Sequence, residues 1–99
     1  MAKVHIFGDE DGSIYVVTSS GDLLWYKDLA RNGTWKWAND TGQKIGTGWN
    51  FPHVFSGGGG VIYAIASNGD LLWYKDLARN GKRKWANDTG QKIGTGWSF

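Results

Sequence analysis

The chain contains no cysteine among its 99 residues. This absence excludes a disulfide framework and any metal site built on thiolates. No apolar run approaches the roughly 18 residues that a membrane span needs, so we expect no membrane insertion. The opening residues, MAKVHIFGDEDG, also lack the apolar stretch of a signal peptide. Together these absences predict a soluble chain.

Charge is also scarce, because the net charge at pH 7 is only +2. So small an excess gives no reason to expect nucleic acid as a partner. Residues 4–51 carry four Lys/Arg and six Asp/Glu, whereas residues 52–99 carry six and three. Either the acidic half of one chain meets the basic half of another, or the surface charge has simply drifted.

Side-chain patterns typical of catalysis are missing. The two histidines, His5 and His53, occur once per half of the chain, and no Ser or Cys nucleophile motif accompanies them. No ligand cluster has a spacing useful for a metal, and the glycine run SGGGG lacks the Lys-Ser/Thr of a phosphate loop. We therefore predict that the protein is not an enzyme and needs neither a metal nor a cofactor.

Glycine and tryptophan are abundant instead, with 16 and seven copies, and they recur with a period of 48 residues. Residues 21–51 match residues 69–99 at 28 of 31 positions, with exceptions at Thr34/Lys82, Trp35/Arg83 and Asn50/Ser98. Residues 4–20 match residues 52–68 at only 6 of 17 positions. A fixed period of this length is the mark of a repeat architecture, so we divide the chain into repeat 1 (residues 1–51) and repeat 2 (residues 52–99).

Each repeat reads as four short strands separated by glycine-rich turns. The predicted strands lie at 4–7, 13–19, 23–29 and 43–48, and again at 53–55, 61–67, 71–77 and 91–96. The second and third strands are apolar at consecutive positions, which is typical of strands covered on both faces. A two-sheet sandwich would leave the outer faces in water, whereas stacked β-propeller blades cover both.

The fold prediction is therefore all-β, with two four-stranded antiparallel β-propeller blades per chain. Propeller rings usually hold 4–8 blades, so two blades must be completed by homo-oligomerisation. A trimer would close one six-bladed ring. Five chains would instead supply two five-bladed rings.

The segments GDLLWYKD, KWANDTGQKIGTGW and FPHVFSGGGGVIYAI resemble the tachylectin-2 family of β-propeller lectins, and the resemblance covers essentially all 99 residues. The family binds N-acetylated sugars, N-acetylglucosamine or N-acetylgalactosamine, between adjacent blades. The resemblance implies two walls for each site. The long loop at 28–40, or 76–88, forms one wall, and the connector at 49–55, or 97–99, forms the other.

A sugar site needs an aromatic platform and several fixed hydrogen-bonding groups. The candidate sugar-binding residues taken from these walls are Trp37, Asn39, Asp40, Trp49, Asn50, Phe51, His53, Trp85, Asn87, Asp88, Trp97, Ser98 and Phe99. For most of them a structural role is open as well. Asn and Asp satisfy loop backbone, Trp37 and Trp85 could pack under the loop, Trp49 and Trp97 could wedge the blades apart, and His53 could pack near the ring axis.

Position 35 differs between the repeats, since Trp35 corresponds to Arg83. A residue needed in every site would not differ, so Trp35 is expected to be peripheral, and Lys82–Lys84 reads as a solvated basic patch. Two functions remain open. One is a multivalent module for N-acetylated glycans. The other is a self-assembling repeat scaffold, designed or fragmentary, that binds nothing.

Overall fold

A computed structural model describes residues 3–99 and contains two four-stranded sheets. Among these residues no helix is long and apolar enough to cross a membrane. The strands are β1 (His5–Gly8), β2 (Ser13–Val17), β3 (Leu23–Lys27), β4 (Gln43–Gly46), β5 (His53–Gly58), β6 (Val61–Ile65), β7 (Leu71–Lys75) and β8 (Gln91–Gly94).

Each sheet is an antiparallel meander in chain order, β1-β2-β3-β4 and β5-β6-β7-β8. Tight turns make this order possible. Gly21 and Gly69, with φ of 87° and 89°, close the second turn of each sheet in a conformation that favours glycine. The all-β prediction and its eight strands are confirmed, and each sheet has the form of a propeller blade. The glycine run of repeat 2 is expected to form a turn, but part of it belongs to a strand. β5 extends to Gly58, with a shift of register between Ser56 and Gly58.

The core of the molecule lies between the two sheets. One face of blade 1 packs against one face of blade 2, and their apolar side chains form a single cluster. Its members are Tyr15, Val17, Leu23, Trp25, Ile45, Trp49, Val54, Ile62 and Ala64. Burial therefore alternates along β2, with Ser13, Tyr15 and Val17 buried and the two residues between them half-buried. Within one chain, each sheet is covered on one face.

Polar contacts tie the two blades together beside this core. The Tyr15 hydroxyl donates to Asp76 Oδ2 at 3.0 Å, and Asp76 is 1% exposed. Burial raises the pKa of Tyr15 above its ordinary value, and the neighbouring Asp76 carboxylate raises it further, so the phenol stays protonated and donates. The backbone amide of Gly60 donates to Asp9 Oδ2 at 2.7 Å.

An ion pair joins the acidic turn of repeat 1 to the long loop of repeat 2. Arg79 Nη2 lies 3.0 Å from Asp11 Oδ2 and 3.8 Å from Asp9 Oδ2. Burial would raise the pKa of Asp11, but hydrogen bonds from Ser13 and the charges of Arg79 and Lys27 lower it overall. The acidic first half thus meets the basic second half inside one chain.

Candidate functional site

The connector between the blades begins with a tryptophan whose position is fixed by its glycine neighbours. The Trp49 amide donates to the Gly21 carbonyl at 2.9 Å. A Cβ on Gly46 would lie 2.5 Å from Trp49 Nε1, so only glycine lets the indole pack this closely on the end of β4. Trp49 is 5% exposed and belongs to the core between the blades.

The long loop of repeat 2 reaches back to blade 1. Asp76 and Trp85 form a bridge that closes the base of the loop. The indole Nε1 of Trp85 donates to the Ile45 carbonyl at 3.1 Å. This bond places the Trp85 ring at the junction between the blades, beside the end of β4.

Four aromatic rings meet at this junction. The ring centroid of Trp49 lies 4.5 Å from that of Tyr74 and 5.9 Å from that of Trp85. Phe51 adds a ring 6.3 Å from Tyr74. Burial raises the pKa of the Tyr74 phenol, so its hydroxyl is protonated at neutral pH. Three of the predicted site residues, Trp49, Phe51 and Trp85, are therefore brought together.

A cleft of about 250 Å³ opens beside these rings, between the two blades. It is lined by Ile45, Gly46, Thr47, Trp49, Tyr74, Arg83, Trp85 and Thr89. Blade 1 supplies the end of β4 and the start of the connector, and blade 2 supplies Tyr74 and the loop. Flat apolar rings, two threonine hydroxyls and a guanidinium together can hold a small polar ligand that has an apolar face. We call this space the interblade cleft.

The predicted Asn-Asp pairs do not line the interblade cleft. Asn39, Asp40, Asn87 and Asp88 are exposed, and the backbone carbonyl of each aspartate accepts a hydrogen bond from the amide three residues further on. Asp40 nevertheless lies across the junction, because a Cβ on Gly81 would lie 3.3 Å from Asp40 Cβ. Asp40 is thus beside the loop of repeat 2 but outside the cleft.

Asn50 and Ser98 also lie elsewhere. Each covers the glycine of its own hairpin turn, since a Cβ on Gly21 would lie 2.6 Å from Asn50 Oδ1 and one on Gly69 would lie 2.7 Å from Ser98 Oγ. Both side chains pack on the turn that positions the connector.

The remaining candidates lie at the two free faces of the chain. His53, Trp97 and Phe99, with Phe55 and Ile65, line a hollow of about 330 Å³ on the face of blade 2 that points away from blade 1. In repeat 1 the corresponding His5 Nε2 is hydrogen-bonded to the Phe51 carbonyl at 2.9 Å.

Trp37 lies in the loop of blade 1, 6.4 Å from the ring of Tyr26. It lines a second hollow of about 330 Å³ with Asp28, Gly33, Thr34 and Trp35. Trp37 and Tyr26 repeat the geometry of Trp85 and Tyr74, without a preceding blade to supply the opposite wall.

Several residues of the interblade cleft were missed at the level of sequence. Thr47, Tyr74 and Thr89 carry no motif of their own, and Tyr74 reads as an ordinary strand residue. Arg83 was expected to be solvated with its lysine neighbours, yet its exposed side chain lines the cleft, and its Nε donates to the Lys44 carbonyl at 3.4 Å. The signal that could have singled it out is the Trp35/Arg83 difference between otherwise identical loops.

Residues 3–99 hold no group of three or more His, Asp or Glu side chains arranged to bind a metal ion. Stacked antiparallel blades with an aromatic cleft at their junction define the chain as a β-propeller-type repeat protein. The chain belongs to the Tachylectin family, whose model matches residues 2–99. This is a family of lectins and suggests a carbohydrate-binding role. The comparisons with curated proteins and with solved structures give no match.

Proposed function

We propose that the protein is a multivalent lectin that binds N-acetylated sugars, N-acetylglucosamine or N-acetylgalactosamine, in clefts between adjacent blades. The observation that carries the proposal is the interblade cleft itself. Trp49, Tyr74 and Trp85 present aromatic rings beside Thr47 and Thr89. A pyranose has apolar C–H faces that pack on such rings and hydroxyls that need donors and acceptors.

A second cleft of the same kind would require a neighbouring chain. The residues that form the blade 1 wall are repeated on blade 2, but no other part of residues 3–99 covers them there. Trp49 is 5% exposed and its copy Trp97 is 39% exposed, while Ile45 is 1% exposed and its copy Ile93 is 54% exposed. The side chains are identical, so this difference in exposure measures what an adjacent blade covers.

The free face of blade 1 is the matching surface. On blade 2, Val54 and Ile62 are buried against blade 1, whereas the corresponding Ile6 and Ile14 on blade 1 lie on its free face, with Ile6 exposed and Ile14 half-buried. The free face of blade 2 in one copy can therefore pack on blade 1 of the next copy as the two blades pack within a chain. Such head-to-tail contacts generate rings when the rotation closes.

This match of surfaces supports ring completion by homo-oligomerisation, either as a trimer with six blades or as a pentamer with two five-bladed rings. In the trimer, each chain would contribute one cleft within itself and one shared with its neighbour. Several sites on one ring bind a sugar-coated surface together, and effective concentration raises the avidity far above the affinity of one site.

The experiment is calorimetric titration of the assembled protein with N-acetylglucosamine, beside the variant Trp85→Leu. Losing the flat ring of Trp85 should weaken binding at the cleft within the chain by about tenfold, since aromatic packing is worth roughly 0.5–1.5 kcal/mol beyond the area it buries. Lys84→Ala is the matched control, because this exposed neighbour does not line the cleft.

Thermal unfolding of both variants separates loss of binding from loss of fold. If Trp85→Leu binds N-acetylglucosamine as tightly as the parent protein does, the assignment of the interblade cleft as the sugar site is contradicted. A parent protein that retains no N-acetylated sugar, in titration or on a sugar-coated surface, would contradict the lectin proposal and favour the non-binding scaffold.

A further inference from the structure

We propose that the interblade cleft within the chain selects sugars that carry an anionic group, a carboxylate or a sulfate, through the guanidinium of Arg83. The inference rests on the proposed sugar-binding function and adds the class of sugar. Its starting point is the one position in the cleft where the two repeats differ, Trp35 in repeat 1 and Arg83 in repeat 2.

The Arg83 side chain is held across the cleft. It leaves the loop of blade 2, and its Nε donates to the carbonyl of Lys44 in β4 of blade 1. A guanidinium has five N–H donors, and the terminal ones form no further hydrogen bond within residues 3–99. Paired N–H groups of this kind fit a carboxylate or a sulfate bidentately, which a lysine amine does not.

The charge of Arg83 is not neutralised by the protein. Within the described part of the chain, no carboxylate lies within ion-pair distance of its guanidinium. Lys82 and Lys84 flank it in sequence and add positive charge, while Lys44 is paired with Asp22 at 3.9 Å. Asp40 is the acidic side chain that lies beside this loop, and it forms no ion pair with Arg83.

The loop of repeat 1 offers different chemistry at the same place. Trp35 is 91% exposed and lines the hollow at Trp37, where Arg83 lines the cleft at Trp85. A site completed by that loop would present a fourth aromatic ring and no cation at this position. The two kinds of cleft would therefore differ in the charge of the sugar that they prefer.

The experiment compares three probes on the assembled protein: N-acetylglucosamine, N-acetylglucosamine 6-sulfate and N-acetylneuraminic acid. The readout is the ratio of anionic to neutral affinity at fixed salt. We expect a ratio of about ten for at least one anionic probe, the effect of one charge-assisted hydrogen bond. Preference for the sulfate or for the carboxylate probe identifies which group the arginine binds.

Two variants replace a residue of repeat 2 by the residue at the equivalent position of repeat 1. Arg83→Trp should bring the ratio to about one, whereas Lys82→Thr removes the same charge from the same loop and should leave the ratio unchanged. If Arg83→Trp does not assemble, Arg83→Gln tests the same loss of charge.

A ratio near one in the parent overturns the proposal while the neutral lectin function stands. The same is true if Lys82→Thr lowers the ratio as much as Arg83→Trp, because a diffuse field would then explain the preference. Binding of no probe at all overturns this proposal together with the lectin function.

Discussion

The Tyr15 hydroxyl and the Asp76 carboxylate meet between the two blades, where Asp76 is almost fully shielded from water. The carboxylate also accepts a hydrogen bond from the backbone amide of Arg79, at 3.0 Å. Burial raises the pKa of Asp76, and these two hydrogen bonds oppose the rise. The Tyr15 phenol therefore supplies one of the few hydrogen bonds that stabilise the buried Asp76 carboxylate.

Tyr15→Phe should lower the free energy of unfolding by roughly 1–3 kcal/mol, because it leaves a buried acceptor without its donor. Tyr63→Phe is the matched control, since the Tyr63 hydroxyl forms no hydrogen bond within residues 3–99. The free energy of unfolding of both variants is measured by urea denaturation, at protein concentrations low enough for the chains to be monomeric. Equal losses from both variants would show that the Tyr15 bond contributes nothing of its own.

At the scale of elements, the long loop of repeat 2 is fitted to blade 1 through a glycine. Gly81 and Gly33 are equivalent and both have φ of 91°. A Cβ on Gly81 would lie 2.9 Å from Trp25 Cε3, whereas a Cβ on Gly33 would meet no atom of the described residues within 4 Å. Trp25 is buried and its Nε1 donates to Ser13 Oγ at 3.2 Å, so it has little room to move.

Gly81→Ala should therefore destabilise the chain by about 1–3 kcal/mol more than Gly33→Ala, since both share the backbone strain and only one overlaps a packed ring. Urea denaturation of separate chains measures the difference. In the proposed ring Gly33 would face Trp73 of a neighbouring copy, so Gly33→Ala should weaken assembly. Unimpaired assembly of Gly33→Ala would argue against a ring built by repeating the junction.

The elements were predictable because glycine-rich turns punctuate the repeat, but their ends were not. The third strand was expected to reach residue 29 and stops at Lys27, where Asp28 turns to bridge Trp37. The fourth was expected to reach residue 48 and stops at Gly46, where the connector begins to fold back over Gly21. These ends depend on contacts between segments distant in sequence.

The candidate site was only partly predictable for a similar reason. The connector and loop tryptophans, Trp49 and Trp85, follow from their place in the repeat. Arg83 and Tyr74 could not be assigned, because the sequence does not tell which side of a strand or a loop faces the other blade. The Asn-Asp pairs were chosen for their chemistry, and the structure places them in turns.

At the scale of the whole molecule, the two blades meet in one junction within residues 3–99. The outer face of each blade is left uncovered and carries exposed apolar side chains. Ile93 lies on one of these faces, and burying such a side chain is worth roughly 1.5–3 kcal/mol. A charge introduced there would have to be desolvated without a partner in every junction between chains.

Ile93→Asp should convert the proposed oligomer into monomers of 10.9 kDa, while the far-ultraviolet circular dichroism of the strands persists. Ser67→Asp adds the same charge at an exposed turn and should leave the assembly intact. Light scattering measures the mass of both. A parent protein that is itself a stable folded monomer would exclude the proposed ring.

The connector at residues 49–55 gives the junction within the chain a further property. It tethers the two blades, so their mutual effective concentration is on the order of millimolar. In the proposed ring, junctions between chains would have the same surfaces but no tether, and their occupancy would fall with the concentration of protein. Dilution should therefore break the ring only at the junctions between chains. The cleft lined by Arg83 would survive in each released pair of blades, whereas the cleft completed by the Trp35 loop would disappear. A dilute sample of the trimer would therefore keep half of its sites and only one of its two specificities.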